Sequence, residues 1–330
     1  MLSQLAKTFY PVINLLPERS AMRLKVLLQV LFREYTFMVP AFPVSQNFRE
    51  GVPDDVEAAL PGIDPASLAQ VQDFLHRIRM DLILQDAGIS RDSLLVRRSF
   101  LESELIVVPA HFGALRKARR KYKFIGNVES LIYQHGFSLL SSAAKEYAKG
   151  KIFVDAGASN GSCSIPLMKY KPSKIIAFEP FPQTAEEYRQ NMRRYGFSEN
   201  EYEVCVKALG DKPEIMNYDP ENIKLSTDGT TPVEVTTLDL FFKDRQDLQI
   251  GFIKADLEGF GLAMLKGGIE TIKRTRPVLG LACYHTPEEL FGQYQLLKAE
   301  LPDYNFSFTS LPPGKGHELT LLAVPAEAEQ

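Results

Sequence analysis

Five side chains with acid-base or hydroxyl-binding chemistry end short apolar runs or follow them closely: Asp155, Glu179, Asp256, Glu258 and His285. Ile152, Phe153 and Val154 lead into Asp155, Lys174 to Phe178 lead into Glu179, and the pair Asp256 and Glu258 closes the segment KADLEG. Carboxylates so placed can grip hydroxyls or a cationic group, and an imidazole is the natural base near neutral pH. After Asp155 the chain reads D-x-G-x-x-x-G, with Gly157 and Gly161 separated by small or polar residues. This spacing differs from the G-x-G-x-x-G of dinucleotide binders. The missing middle glycine and the acid before the first one argue against a pyrophosphate cradle. They suit a ligand that is cationic or carries hydroxyls.

These residues need a scaffold that brings strand ends together. Residues 152–161 predict strand, tight turn and helix, the first unit of an open α/β sheet. Gly157 would let the backbone turn sharply and approach a ligand, and Gly161 would let the helix start pack on the strand. Glu179 follows Asp155 by 24 residues, one strand-helix-strand step, at the position where such sheets hold ribose hydroxyls. The alternation predicts strands at 151–155, 174–179, 202–207, 250–255 and 277–284, and helices at 161–170, 183–195, 259–273 and 287–300. Two further strands, Tyr304 to Phe308 and Glu318 to Val324, predict an antiparallel hairpin at one edge of a seven-stranded, mostly parallel sheet. Upstream, apolar spacing predicts helices over 20–37 and from the Asp64-Pro65 start to about Gln85. A Pro- and Gly-rich loop with a short helix near 54–60 lies between them, and 105–108 reads as a short strand. A boundary near residue 125 divides a helical domain, 1–125, with an acceptor-site or dimerisation role, from an α/β domain, 126–330.

Composition narrows the function classes. The chain has 330 residues, 45% of them hydrophobic and 24% charged, with net charge −3, which fits a soluble globular protein with no general attraction to nucleic acid. One run, Arg116 to Lys123, holds six basic residues and reads as a solvated helix face or a patch for an anionic substrate. Cys163, Cys205 and Cys283 are too few and too dispersed for a disulfide framework or a zinc site. No secretory signal and no apolar run near the roughly 20 residues of a membrane span is read. The expectation is a cytoplasmic enzyme, with a homodimer as one option.

The segments VDAGASNG, IIAFEP, VKALGD, VEVTTLD and FIKADLEGFGLAMLKGG followed by RPVL resemble the FkbM family of methyltransferases dependent on S-adenosylmethionine (SAM). The resemblance covers roughly residues 126 to 324. It implies the class I methyltransferase fold, SAM as cofactor, and methylation of a hydroxyl on a sugar, glycan or natural product. By the same resemblance, Asp155, Gly157, Ala158, Asn160 and Gly161 would line the methionine end of SAM. Glu179 would take both ribose hydroxyls, Phe181 would cover the adenine face, and Ala208, Leu209 and Asp211 would border adenine. Asp256 would sit near the sulfonium, and either Asp256 or His285 would serve as base, with His135 next in line. No metal is expected. The chain departs from the family pattern EGxE, since Gly261 stands where an acid is usual. That departure keeps open a SAM-binding protein with impaired catalysis. Methylation of nitrogen or protein is also open, as is a nicotinamide dehydrogenase, for which the glycine spacing is wrong.

Overall fold

The structure is a computed structural model and describes residues 43–86, 129–219, 224–226, 231–310 and 318–330. The expected helix over 20–37, the strand at 105–108 and the basic run 116–123 lie outside the described residues. A 3-10 turn, Pro43–Phe48, precedes the short helix α1 (Val56–Ala59) and the long helix α2 (Pro65–Asp86). Asp55 caps α1 by accepting the Ala58 N–H at 2.9 Å, and Asp64 accepts the first free N–H groups of α2, with Pro65 at the first helical position.

The α/β part follows as α3 (Ser142–Ala148), β1 (Ile152–Ala156), α4 (Ser164–Leu167), β2 (Lys174–Phe178), α5 (Pro182–Arg194) and β3 (Tyr202–Cys205). Next come β4 (Ala208–Leu209), β5 (Glu214–Asp219), β6 (Lys224–Ser226), β7 (Thr231–Thr236) and α6 (Leu238–Phe242). The chain closes with β8 (Ile250–Ala255), α7 (Gly261–Lys266), α8 (Ile269–Thr275), β9 (Val278–Ala282), α9 (Pro287–Glu300), β10 (Tyr304–Ser310) and β11 (Leu319–Pro325). Seven strands form one sheet in the order β10-β11-β9-β8-β1-β2-β3, parallel except for β10 and β11. This is the α/β arrangement expected from the sequence, with the terminal hairpin at one edge.

Two features differ from expectation. A second sheet, β4-β7-β5-β6, stands within 208–236, where no strands were predicted. Its strands are short or carry exposed faces, so they lack the apolar runs that marked the main sheet. The helix expected over 259–273 is broken into α7 and α8. A Cβ on Gly267 would come within 2.1 Å of the Gly210 carbonyl oxygen, so the backbone passes too close to the second sheet for an unbroken helix of larger residues.

Alternation along the strands fills both faces. Ile152, Val154, Ala156, Ile176, Phe178 and Leu281 join the cluster that includes Leu290, Tyr294 and Leu297 of α9 and Val71, Phe74, Leu75 and Ile78 of α2. On the opposite face Phe137 packs against Phe153 in a tilted pair and edge-on against Phe252, with centroids 5.2 and 4.5 Å apart. The described segment 43–86 therefore shares one core with the sheet. It is also held by polar contacts: the Ser67 hydroxyl accepts the Phe308 N–H at 2.9 Å, and the Tyr294 hydroxyl donates to the Pro61 carbonyl at 2.8 Å. Among the described residues no helix is long and apolar enough to cross a membrane.

One charged pair lies within the sheet. In the register of β1 and β8, Asp155 stands opposite Lys254, and their side chains meet at 3.0 Å, both buried. The Lys254 ammonium also donates to the carbonyls of Ala156 at 3.1 Å and Gly157 at 2.6 Å, while the Ser164 hydroxyl donates to Asp155 at 2.6 Å. Burial opposes the charge on Lys254, but Asp155 and Asp256 outweigh it and hold the ammonium above its usual range. Removing one member of such a pair leaves the other buried without compensation. Lys254→Met is expected to lower stability by about 3–5 kcal/mol in denaturant unfolding, with part of the loss recovered in Asp155→Asn/Lys254→Met. A single mutant as stable as wild type would show that the pair does not hold the strands. On the other side of the core, Phe74→Ala should cost about 3–5 kcal/mol in the same transition. A loss below about 1 kcal/mol would mean that α2 is not anchored in the common core.

Candidate active site

The ends of β1, β2, β4 and β8 open into one cavity of about 450 Å³, within the roughly 300–1,000 Å³ of small-molecule sites. It lies at the carboxyl ends of the parallel strands, where open α/β sheets bind ligands. The turn after β1 forms its floor. Gly157 has φ +74°, and a Cβ there would come within 2.0 Å of the Asp256 carbonyl oxygen. Only glycine allows the β1 turn and the end of β8 to approach this closely. Ser159, also left-handed at φ +48°, turns its N–H to Glu179, which accepts it at 2.9 Å.

Glu179 is buried at the cavity wall. Its Oε2 accepts the Ser159 N–H and its Oε1 accepts the Phe181 N–H at 3.1 Å. Burial raises its pKa, while these two backbone donors favour the charged form. Each oxygen keeps further lone-pair capacity, so the carboxylate can accept a pair of neighbouring hydroxyls. Phe181, Ala208 and Leu209 supply an apolar wall suited to a flat ring. Lys207 also lines the cavity and is paired with Glu234.

Of the residues singled out in the sequence, Gly157, Ala158, Glu179, Phe181, Ala208, Leu209 and Asp256 line this cavity. Asp155 does not, because its carboxylate is turned into the sheet toward Lys254 and Ser164. Asn160 faces α5, where its carbonyl accepts from Asn191 Nδ2 at 2.8 Å, and Gly161 packs against the Tyr188 ring. Both lie outside the cavity lining and seat α5 against the turn. Asp211 is exposed, two residues beyond β4, and is also outside it.

At the end of β8, Asp256 and His285 do come together. Asp256 Oδ1 lies 3.2 Å from His285 Nε2, and the Tyr284 hydroxyl donates to the same carboxylate at 3.3 Å. His135 lines the cavity, with its Nε2 3.9 Å from Asp256 Oδ2. Burial and the nearby Lys254 push His135 down to about 4, so it is neutral at neutral pH. His285 behaves oppositely. Burial lowers its pKa, but Asp256 and Glu289 outweigh that and hold it well above the ordinary histidine value. Asp256 is displaced correspondingly: burial raises it, and His285 more than offsets this and keeps it below the usual carboxylate range.

Three contributors escaped the sequence reading. Lys254 fixes the floor of the cavity through the Gly157 carbonyl. Glu289, buried in the first turn of α9, binds His285 Nδ1 at 2.6 Å and accepts the Gly261 N–H at 3.0 Å. A Cβ on Gly261 would come within 2.4 Å of Gln293 Nε2 and 2.6 Å of Glu289 Oε1, so these two side chains fill the space beside the residue that departs from the family pattern. Asn47, from the turn before α1, donates to the His285 carbonyl at 2.9 Å and braces the loop from the other side. A lysine inside the apolar run FIKAD was the available signal for the first. The other two come from segments whose proximity only the fold establishes.

Comparison with known proteins agrees with this geometry. Residues 155–308 match the methyltransferase FkbM domain family. No curated protein sequence matches the chain. Among solved structures, a methyltransferase FkbM from Methylobacillus flagellatus KT superposes with TM-score 0.51 at 17% identity, over 90% of this chain and 60% of that one. The present chain thus spans about 60% of that relative's length. The O-methyltransferase TomG from Streptomyces achromogenes, solved with SAM, gives TM-score 0.40 at 14% identity over 63% of this chain and 86% of its own. The O-methyltransferase from Bacillus cereus, solved with SAH, gives 0.39 at 12% over 75% and 97%. At 17% identity the first of these superpositions speaks to the fold alone. The strand-end acids and the glycine turn all fall within the segment, residues 155–308, that matches the methyltransferase FkbM domain family.

Proposed function

We propose that the protein transfers a methyl group from SAM to a hydroxyl of a sugar, glycan or natural product. The observation that carries this reading is a single cavity with both Glu179 and Asp256 in its wall. Glu179 would hold the ribose diol, Phe181, Ala208 and Leu209 would flank adenine, and the turn at Gly157 and Ala158 would leave room for the methionine end. When bound, SAM supplies a methyl on a sulfonium: the acceptor oxygen forms the new O–C bond, and the C–S bond breaks with its electron pair on sulfur. The chain's own residues position the acceptor, exclude water and take its proton.

Proton removal falls to Asp256 on this reading. His285 has a carboxylate against each ring nitrogen and keeps its proton, so it acts by orienting Asp256 and not as the base. A carboxylate held below its usual range is a weak base toward a free alcohol. It suffices here because the attacking oxygen gains positive charge as the O–C bond forms, and its proton becomes strongly acidic. A SAM-binding protein with impaired catalysis would rest on Gly261. Glu289 supplies a carboxylate in that place, which supports the active reading.

Glu179→Ala should weaken SAM binding by about 1.5–3 kcal/mol, the scale of a charged hydrogen bond, as read by calorimetry on a folded protein. Unchanged affinity would remove Glu179 from the cofactor site. Asp256→Asn should lower turnover by about 10²–10⁴ with SAM affinity nearly kept. Incubation with labelled SAM and a panel of sugars and glycans, read by mass spectrometry, tests the acceptor class. Label appearing on nitrogen, or on the protein alone, would overturn O-methylation.

A further inference from the structure

Asp256, Glu258 and His285 present one carboxylate oxygen each and one ring nitrogen within 4.8 Å of one another at the edge of the cavity. His285 is buried and its Nε2 makes no hydrogen bond, although Asp256 Oδ1 lies 3.2 Å away and Glu258 Oε2 3.6 Å away. The nitrogen therefore points into the space between two carboxylates without a linear bond to either. Its other nitrogen, Nδ1, is held at 2.6 Å by buried Glu289. A carboxylate on the far nitrogen is the arrangement that fixes the ring and tautomer of metal-binding histidines.

We propose that Asp256, Glu258 and His285 bind a divalent cation, which takes the place of the proton that His285 Nε2 holds in the metal-free protein, with Glu289 orienting His285. Ligands about 2.1 Å from one ion lie about 3 Å apart when adjacent and about 4 Å apart when opposite. The separations of 3.2 and 3.6 Å fall in that interval, and the exposed Glu258 side chain is free to adjust the rest. Two carboxylates with one imidazole suit Mn2+ or Zn2+, with Mg2+ weaker for want of oxygen ligands. Three protein ligands leave positions open toward the cavity that Asp256 and Glu258 line. A hydroxyl of the acceptor can occupy one of them and be aligned for attack. The ion would also make that hydroxyl more acidic, and its proton would pass to the Asp256 oxygen that does not bind the metal. This role rests on the methyl-transfer reading, whereas binding of the ion does not.

The test uses the full chain freed of metal by a chelator and titrated with Mn2+, with free Mn2+ followed by electron paramagnetic resonance and Zn2+ and Mg2+ added in competition. The expected result is one Mn2+ per chain. Glu258→Gln and Glu289→Gln should each weaken it by about 10- to 100-fold. The exposed Glu258 keeps the test valid if the buried Glu289 variant fails to fold. Absence of binding by any of the three ions overturns the site, as does equal binding by wild type and Glu258→Gln. Calorimetry with SAM on the same metal-free sample separates the two readings. SAM bound with no cation sinks the metal site alone, and cation bound with no SAM affinity sinks the methyl-transfer reading alone.

Discussion

The buried pair of Asp155 and Lys254 is the constraint on which the site depends. Two charges inside a parallel sheet are costly to desolvate, and a hydrophobic pair would hold β1 and β8 together at least as well. What a hydrophobic pair would not do is fix the turn. Lys254 directs its remaining donors to the carbonyls of Ala156 and Gly157. The same turn brings Gly157 against the Asp256 carbonyl. The ion pair thus sets the distance between the floor of the cavity and the strand end that carries Asp256. Asp155 acts through this network, one layer beneath the surface where a ligand would lie.

From that fixed point the site extends outward by successive carboxylate contacts. Lys254 lies near Asp256, Asp256 faces His285, and His285 is clamped by Glu289. Each step alternates sign, so no single charge in this row is left uncompensated. Neutral His135 is the exception, kept uncharged by burial and by Lys254. The N-terminal segment completes the row from outside, with Asn47 on the His285 carbonyl and α2 packed into the core beneath α9. That docking explains why the first described residues belong to the site's architecture although they lie far from it in sequence.

The main sheet was legible in the sequence because buried parallel strands must be apolar along their length, and acids at their ends interrupt that pattern sharply. IFVDA, KIIAFE and the run into KAD carry this signal, and the strands fall within a residue or two of the expected positions. The second sheet was not legible. Thr231 to Thr236 opens with two exposed residues, contains Pro232 and shows no strict alternation, a pattern shared by many loops. The cavity-lining set was partly legible for a related reason. A strand-end acid can point up to a ligand or down into the sheet, and spacing alone does not choose. Glu179 points up, whereas Asp155 points down because Lys254 stands opposite it in register.

Glu289 shows how a local helix signal can carry a distant function. Thr286-Pro287-Glu288-Glu289 has the spacing of a capping box, and Thr286 does accept the Glu289 N–H, at 3.1 Å. In the reciprocal half of that motif the glutamate would return to the backbone of its own cap. Here the Glu289 carboxylate reaches one residue further, to the His285 N–H at 3.4 Å, and out to His285 Nδ1 and Gly261. The helix N-terminus favours a negative charge at this position. A second acid at position 261 would occupy the same space and repel it. Glycine at 261 and glutamate at 289 are therefore one arrangement: the small residue at the start of α7 leaves room for the carboxylate that the first turn of α9 positions against the imidazole.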